Sequence, residues 1–281
     1  MTLLTINKLT PSVGAEVLDV DPDRLASDDS LGEAVLDALE ANGVLVFPSL
    51  GLDPEAQVAF SRRLGVVDHS SDGHHPVAGI YPITLDKSKN KSASYLRATF
   101  DWHIDGCTPT GDECPQKATV LSAVQVADRG GETEFANSYA AYDAFTEDEK
   151  ERFSALRVVH SLEASQSRVN PNPSAEELAR WRARPTHEHP LVWTHRSGRK
   201  SLVLGASAHY VVGMDRDEGQ ELLAGLLERA TRPELVYSHR WSVGDTVIWD
   251  NNGVLHRAAP YDPESQREML RTTVLGDEPI Q

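Results

Sequence analysis

Apolar and polar positions change rhythm along this chain, and each change marks an element. Residues 13–20 alternate apolar with other side chains behind a Pro-Ser turn signal, the pattern of a half-buried strand. The period then lengthens: Leu31, Ala34, Val35, Ala38 and Leu39 share one helical face, Ser30 and Glu33 have capping-box spacing, and Gly43 closes the segment. Val44–Phe47 is a short apolar run that predicts a buried strand. Asp53 as N-cap and Pro54 at the first helical position predict a second helix running to Gly65.

Periodicity fades in two stretches. Residues 66–100 are polar and irregular, and residues 163–190 are rich in Pro, Asn and Arg around one helical insert at 174–181. Loops of this length are usually functional, so both are candidate lids. Elsewhere short strands are predicted at 118–126, 201–204, 234–237, 246–249 and 270–275, with a helix at 218–230 between them. Many short strands without β-α-β alternation argue for a barrel or jelly roll, mainly β with flanking helices in the α+β class, rather than a doubly wound sheet.

The 281 residues, 40% of them hydrophobic, suffice for one substantial core, and a single domain over 1–281 is expected. The formal net charge of −16 argues against a nucleic-acid partner. It also means that a small anionic substrate needs local cations to hold it. Two cysteines, Cys107 and Cys114, are too few for a disulfide framework and lack zinc-site spacing, so they are expected as structural thiols. No run approaches the eighteen apolar residues of a membrane span, and no basic-then-apolar leader opens the chain. A cytoplasmic protein with no membrane partner is expected. The sequence is compatible with a homo-oligomer.

Candidate chemistry centres on Trp102-His103-Ile104-Asp105, where an extended backbone points both ligand-type side chains to one side. His-x-Asp alone is a commonplace tripeptide, and an isolated histidine is more often a surface or satisfied core residue. A third ligand is available at His256, just beyond a predicted strand and turn. Two imidazoles and one carboxylate with open positions suit non-haem iron(II) oxygenases. Arg271 lies on an apolar strand, where a fixed charge needs a partner: either an Asp or Glu of the protein, or the distal carboxylate of a chelating dicarboxylate.

Taken together, Trp102 to Asp105, Gly130-Gly131-Glu132-Thr133, Tyr139 to Phe145, Trp249-Asp250-Asn251 with His256, and Arg271 to Asp277 resemble, in order, the taurine dioxygenase and aryloxyalkanoate dioxygenase family. The likeness runs over nearly the whole chain. It implies a double-stranded β-helix (jelly roll, cupin-like) in which His103, Asp105 and His256 hold iron(II) and carry catalysis, and in which Arg271 and Thr133 pair with 2-oxoglutarate. It further implies an oxidoreductase, a dioxygenase that consumes 2-oxoglutarate and dioxygen, releases succinate and carbon dioxide, and hydroxylates a small organic acid.

Two departures stand out. Asn252 replaces an arginine usual after Trp-Asp-Asn, and Phe135 stands where members often have tryptophan. Thr99 and Leu162 occupy positions where taurine-specific members carry Asn and Phe, which disfavours taurine and points to an aryloxyalkanoate-like or other apolar-bodied acid. His209, in a stretch resembling the aryloxyalkanoate branch, joins Thr99 and Leu162 as a candidate substrate contact. The alternatives are a taurine, alkylsulfonate or alkyl sulfate dioxygenase, a zinc hydrolase, and a non-catalytic jelly-roll binder of small acids. A zinc hydrolase leaves Arg271 and Thr133 unexplained, and a binder has no use for three metal ligands.

Overall fold

The structure is a computed structural model describing residues 4–70, 74–90, 92–93, 95–109 and 114–281. Its strands begin with Thr5–Lys8 (β1), Ala15–Leu18 (β2), Val44–Phe47 (β3), Tyr81–Ile83 (β4), Gln116–Gln125 (β5), Thr133–Asn137 (β6) and Arg157–His160 (β7). They continue with His187–Pro190 (β8), Val192–Thr194 (β9), Lys200–Leu202 (β10), Ala208–Val211 (β11), Val236–His239 (β12), Thr246–Asp250 (β13), Val254–Ala258 (β14) and Glu268–Leu275 (β15). The helices are Pro22–Ser27 (α1), Asp29–Asn42 (α2), Pro54–Leu64 (α3), Ser138–Asp143 (α4), Glu147–Ser154 (α5), Leu162–Val169 (α6), Ala175–Arg182 (α7) and Arg216–Ala230 (α8).

A large sheet in the order β1-β2-β3-β13-β5-β15-β4 faces a smaller one, β12-β6-β14, and only β2 with β3 runs parallel. This pair of facing antiparallel sheets is a jelly-roll arrangement. Side chains alternate between faces with period two, so the central strands β3, β13, β5 and β15 each serve two cores. On one side Leu45, Phe47, Val120, Ile248 and Val274 pack against Leu31, Val35 and Leu39 of α2 and Phe60 and Leu64 of α3. On the other, Val44, Val46, Leu121, Val247, Trp249 and Met269 meet Phe135 of β6 and Val254 of β14. Covering both faces explains why Val44–Phe47 and Thr246–Asp250 are buried at every position. Each large apolar side chain so buried contributes about 1.5–3 kcal/mol.

Helix starts follow the short polar side chains that precede them. Asp53 accepts from the Ala56 amide at 2.7 Å, as expected, and Pro54 follows it. The expected capping box at Ser30 needs correcting: the cap of α2 lies two residues earlier, at Asp28, and the helix runs from Asp29. Asp28 accepts from the Ser30 amide and also takes the Ser30 hydroxyl at 2.7 Å, so Ser30 is used up and cannot cap. The stretch 163–190 is more ordered than its composition suggests, because α6, α7 and β8 lie within it. Ser174 and Glu177 make a full capping box at α7. Within 66–100 the chain forms β4 and a 3-10 turn, Tyr95–Phe100; residues 71–73, 91 and 94 lie outside the described residues.

Candidate active site

The space between the two sheets collects the site by register alone. Phe135, Val254, Leu121, Trp249 and Met269 face inward, so Thr133, His256, Thr119 and Arg271, each two residues from one of them on its own strand, face inward too. His103 joins this face through a backbone bridge. The amide of His103 donates to the His256 carbonyl at 3.0 Å and the amide of His256 returns the bond at 2.9 Å. The two imidazoles then stand side by side with ring centres 4.2 Å apart.

Asp105 completes a triad whose ligand atoms lie within 4.8 Å of one another. Its carboxylate oxygens are 3.9 Å from His103 Nε2 and 3.8 Å from His256 Nε2. These gaps exceed a hydrogen bond, and ligands about 2.1 Å from one ion stand between about 3 Å apart at right angles and about 4.2 Å apart on opposite sides of it, a range that includes both gaps. The spacing therefore fits a shared metal better than mutual hydrogen bonding. His103 Nδ1 donates to the Asp101 carbonyl at 2.8 Å, which leaves Nε2 as the lone pair facing the triad. Burial, and then the neighbouring His103, push His256 down to about 3, so its ring is neutral near pH 7. Burial pushes Asp105 up, but His256, Arg271 and His103 together outweigh it and hold the carboxyl below its ordinary value. Thr119 reaches Asp105 at 3.5 Å, and the buried Asn251 fixes that hydroxyl at 3.0 Å.

A cavity of about 60 Å³ adjoins the triad, lined also by Thr99, Thr133, Arg257, Arg267 and Arg271. Within a molecule of charge −16, three guanidinium groups here make the locally cationic pocket that an anionic substrate requires. Arg257 is paired to Glu134 and lies over the Trp102 ring at 4.7 Å. Arg271 stands 3.8 Å from Asp105, has a side chain 27% exposed, and has no hydrogen-bond partner at Nε among the described residues. Arg267 is 3% exposed and donates to the Gly131 carbonyl at 3.0 Å. A Cβ on Gly131 would sit 2.9 Å from Arg267 Nε, and one on Gly130 only 2.1 Å from the Pro260 carbonyl oxygen. With φ of +72° and +75°, both positions favour glycine. Thr133 accepts from Trp241 Nε1 at 3.0 Å, which leaves its own O–H free to donate.

Of the residues singled out in the sequence, His103, Asp105, His256, Thr133, Arg271 and Thr99 line this one cavity. Thr99 Oγ1 is bonded to the Leu96 carbonyl at 2.6 Å. Leu162 and His209 do not line it. They belong to neighbouring elements, α6 and β11, joined where Ser161 meets His209 at 3.0 Å. Cys107 is buried and its thiol is pushed up to about 12 by burial first and Asp105 second, the behaviour of an inert structural thiol. Sequence reasoning missed Arg267. It precedes its strand among polar neighbours and looks exposed until Tyr261 and Gly131 close over it. The signal that could have found it is Gly130-Gly131, a pair that lets another chain segment approach closely.

A family model described as "Taurine catabolism dioxygenase TauD, TfdA family" matches residues 5–273. The chain is 36% identical to an alpha-ketoglutarate-dependent 2,4-dichlorophenoxyacetate dioxygenase of Cupriavidus pinatubonensis, over 96% of this chain and 97% of that protein. It is 34% identical to an (S)-phenoxypropionate/alpha-ketoglutarate-dioxygenase of Sphingobium herbicidovorans, covering 97% and 95% of the two chains. The crystal structure of AAD-2 in complex with Mn(II) and N-oxalylglycine superposes with a TM-score of 0.83 at 31% identity, over 100% of both chains.

Proposed function

The chain belongs to the taurine catabolism dioxygenase TauD, TfdA family and is a 2-oxoglutarate-dependent dioxygenase, and on that premise we propose that it hydroxylates an aryloxyalkanoate-like or other apolar-bodied acid. The observation that carries this is one cavity in which a His-Asp-His triad meets two arginines, Arg267 and Arg271, that have no hydrogen-bonded Asp or Glu among the described residues. Relatives that act on phenoxy acids support the substrate class.

In this reading His103, Asp105 and His256 hold iron(II), which supplies dioxygen activation and the coupled oxidation of both acids. The protein's residues then divide the remaining work. Asp101 fixes the His103 ring, and Asn251 with Thr119 fixes Asp105. The distal carboxylate of 2-oxoglutarate is assigned to Arg267 and Thr133. This differs from the sequence expectation of Arg271 with Thr133, because Arg271 reaches to 3.8 Å from Asp105, too close to the ligand set to meet the far end of a five-carbon diacid. Arg271 is assigned to the acid group of the prime substrate. Ile83, Leu121 and Trp249 form the apolar lining that keeps water out.

The body of the prime substrate is assigned to the region under the two lid segments, 66–100 and 163–190. A cavity of about 610 Å³ there is lined by Leu85, Tyr95, Arg97, Val169 and Trp181, a size and mixture suited to a small aromatic acid. The 3-10 turn links the two cavities, with Tyr95 and Arg97 on one and Thr99 on the other. The proposal takes 1–281 as one domain in the cytoplasm, with a small organic acid as partner rather than nucleic acid or membrane. Its support is the net charge and the absence, among the described residues, of a helix long and apolar enough to cross a membrane. It is compatible with a homo-oligomer.

The test is to supply iron(II), 2-oxoglutarate and dioxygen and to compare an aryloxyacetate, an alkyl sulfate and taurine, quantifying succinate and oxidised product together. One-to-one coupling with the aryloxyacetate is expected. Tight coupling with taurine alone would overturn the substrate assignment.

A further inference from the structure

A second cavity, of about 430 Å³, lies beside the triad cavity and is lined by Ala127, Arg129, Glu132, Arg240, Trp241 and Arg267. Arg267 lines both cavities. Trp241 lines the outer one and donates to Thr133, which lines the inner one. The two spaces therefore share a wall made of one guanidinium and one indole–hydroxyl pair. The larger cavity under residues 85–97 and 166–181 has no lining residue in common with this outer one.

Charge makes the outer cavity more than a dent. Arg129 and Arg240 are exposed at its rim, and neither forms an ion pair among the described residues. With Arg267 they outnumber its two acidic lining residues, Asp128 and Glu132, on a molecule whose net charge is −16. The lid-side cavity is cationic too, with Lys87, Arg97 and Arg180 against Glu177, so local charge makes either entrance attractive to an anion, and what sets the outer cavity apart is Arg267 in its wall. Direction matters as well. A 2-oxoglutarate that enters past Arg267 with its keto-acid end leading brings that end to the triad and leaves its trailing carboxylate at the guanidinium.

We infer that this outer cavity is a separate portal for the dicarboxylate cosubstrate and for departing succinate, with Arg129 and Arg240 as recruiting charges, while the prime substrate enters from the lid side. The inference rests on the assignment of Arg267 to the distal carboxylate. It divides the traffic of two anions that would otherwise compete for one entrance.

Stopped-flow tryptophan fluorescence on Mn(II)-loaded enzyme, with N-oxalylglycine as the oxygen-inert diacid, separates the possibilities. The double variant R129Q/R240Q should bind N-oxalylglycine about 3–10-fold more slowly at low salt, with unchanged dissociation, and the difference should vanish in high salt. Ala127→Trp, which narrows the cavity without touching a charge, should slow association and dissociation by a common factor and leave Kd unchanged. In turnover, both variants should keep the wild-type KM for the prime substrate. Wild-type N-oxalylglycine kinetics in both variants would overturn the portal, as would equal losses for the prime substrate. Arg267→Ala is the separate control: if it binds N-oxalylglycine normally the assignment of Arg267 fails, and if it does not while the rim variants are silent, only the portal fails.

Discussion

The space between the sheets and the space under the lid segments are built in opposite ways. Between the sheets, Thr119, Thr133, His256 and Arg271 project from paired strands whose register leaves each no choice of face. Under 66–100 and 163–190, the walls come from a 3-10 turn and two eight-residue helices, and Lys87, Arg97 and Arg180 are exposed at the rim. The difference teaches a division of labour. In the proposed reading, side chains that must be held to fractions of an ångström sit on strands or, like His103, on a segment bridged to one, and recognition that can vary sits on short elements at the surface.

The comparison breaks first if the inter-sheet residues can be removed without loss. Asp105→Ala should abolish succinate formation and iron retention, the largest effect in the molecule, while thermal unfolding still shows a cooperative transition. Full turnover in that variant, or equal turnover with zinc in place of iron, would end the triad assignment.

Next in size is Arg267→Ala, which should weaken 2-oxoglutarate binding by about 2–5 kcal/mol, the usual loss when one partner of a buried charged pair is truncated. Arg267→Lys should recover only part, because an ammonium cannot reproduce a two-pronged contact. Arg271→Ala should instead act mainly on the KM of the prime substrate. The reverse pattern would return the cosubstrate to Arg271, where the sequence first put it.

A quieter test concerns Asp250, at the end of β13, which burial raises to about 6 against the pull of Asn252, Tyr139 and Arg199. A raised folded-state pKa contributes stability that is complete below the ordinary carboxylate range and is lost as pH rises through 6. Asp250→Asn should therefore raise stability by about 1–3 kcal/mol at pH 8 and by little at pH 4. Tm measured across that range checks the sign; a gain confined to acid pH would contradict it.

The smallest effect is expected under the lids. Arg97→Gln should raise the KM for the prime substrate only about 2–5-fold, in a salt-sensitive way, since exposed charges are screened. The KM for 2-oxoglutarate should stay fixed. A loss as large as that of Arg267→Ala would mean that the lid side carries fixed chemistry and that the division of labour is wrong.

Much of this was legible in the chain itself. The short runs rich in apolar and β-branched residues at 44–47, 246–249 and 270–275 predicted strands, Asp53-Pro54 and Gly65 bounded α3, and His-x-Asp with a distal histidine named the triad. The strand and helix signals are local or repeat with a fixed period, so neighbouring residues suffice to read them, whereas His256 was joined to His-x-Asp by the order of motifs along the chain. Leu162 and His209 fared differently, since whether a side chain on α6 or β11 faces the metal cavity depends on how those elements dock.

Sequence alone singled out His103, Asp105 and His256 as ligand-type side chains and set which face of its strand each strand residue must share, because pleating with period two is a property of the backbone. Tertiary structure decided the rest. It laid His103 against His256 through a pair of backbone hydrogen bonds, buried Arg267 beneath Tyr261 and Gly131, and left Arg271 beside Asp105. Those outcomes depend on which distant segments meet, and what makes them meet is the burial of two apolar faces of one sheet, a cost and gain that no single stretch of chain records.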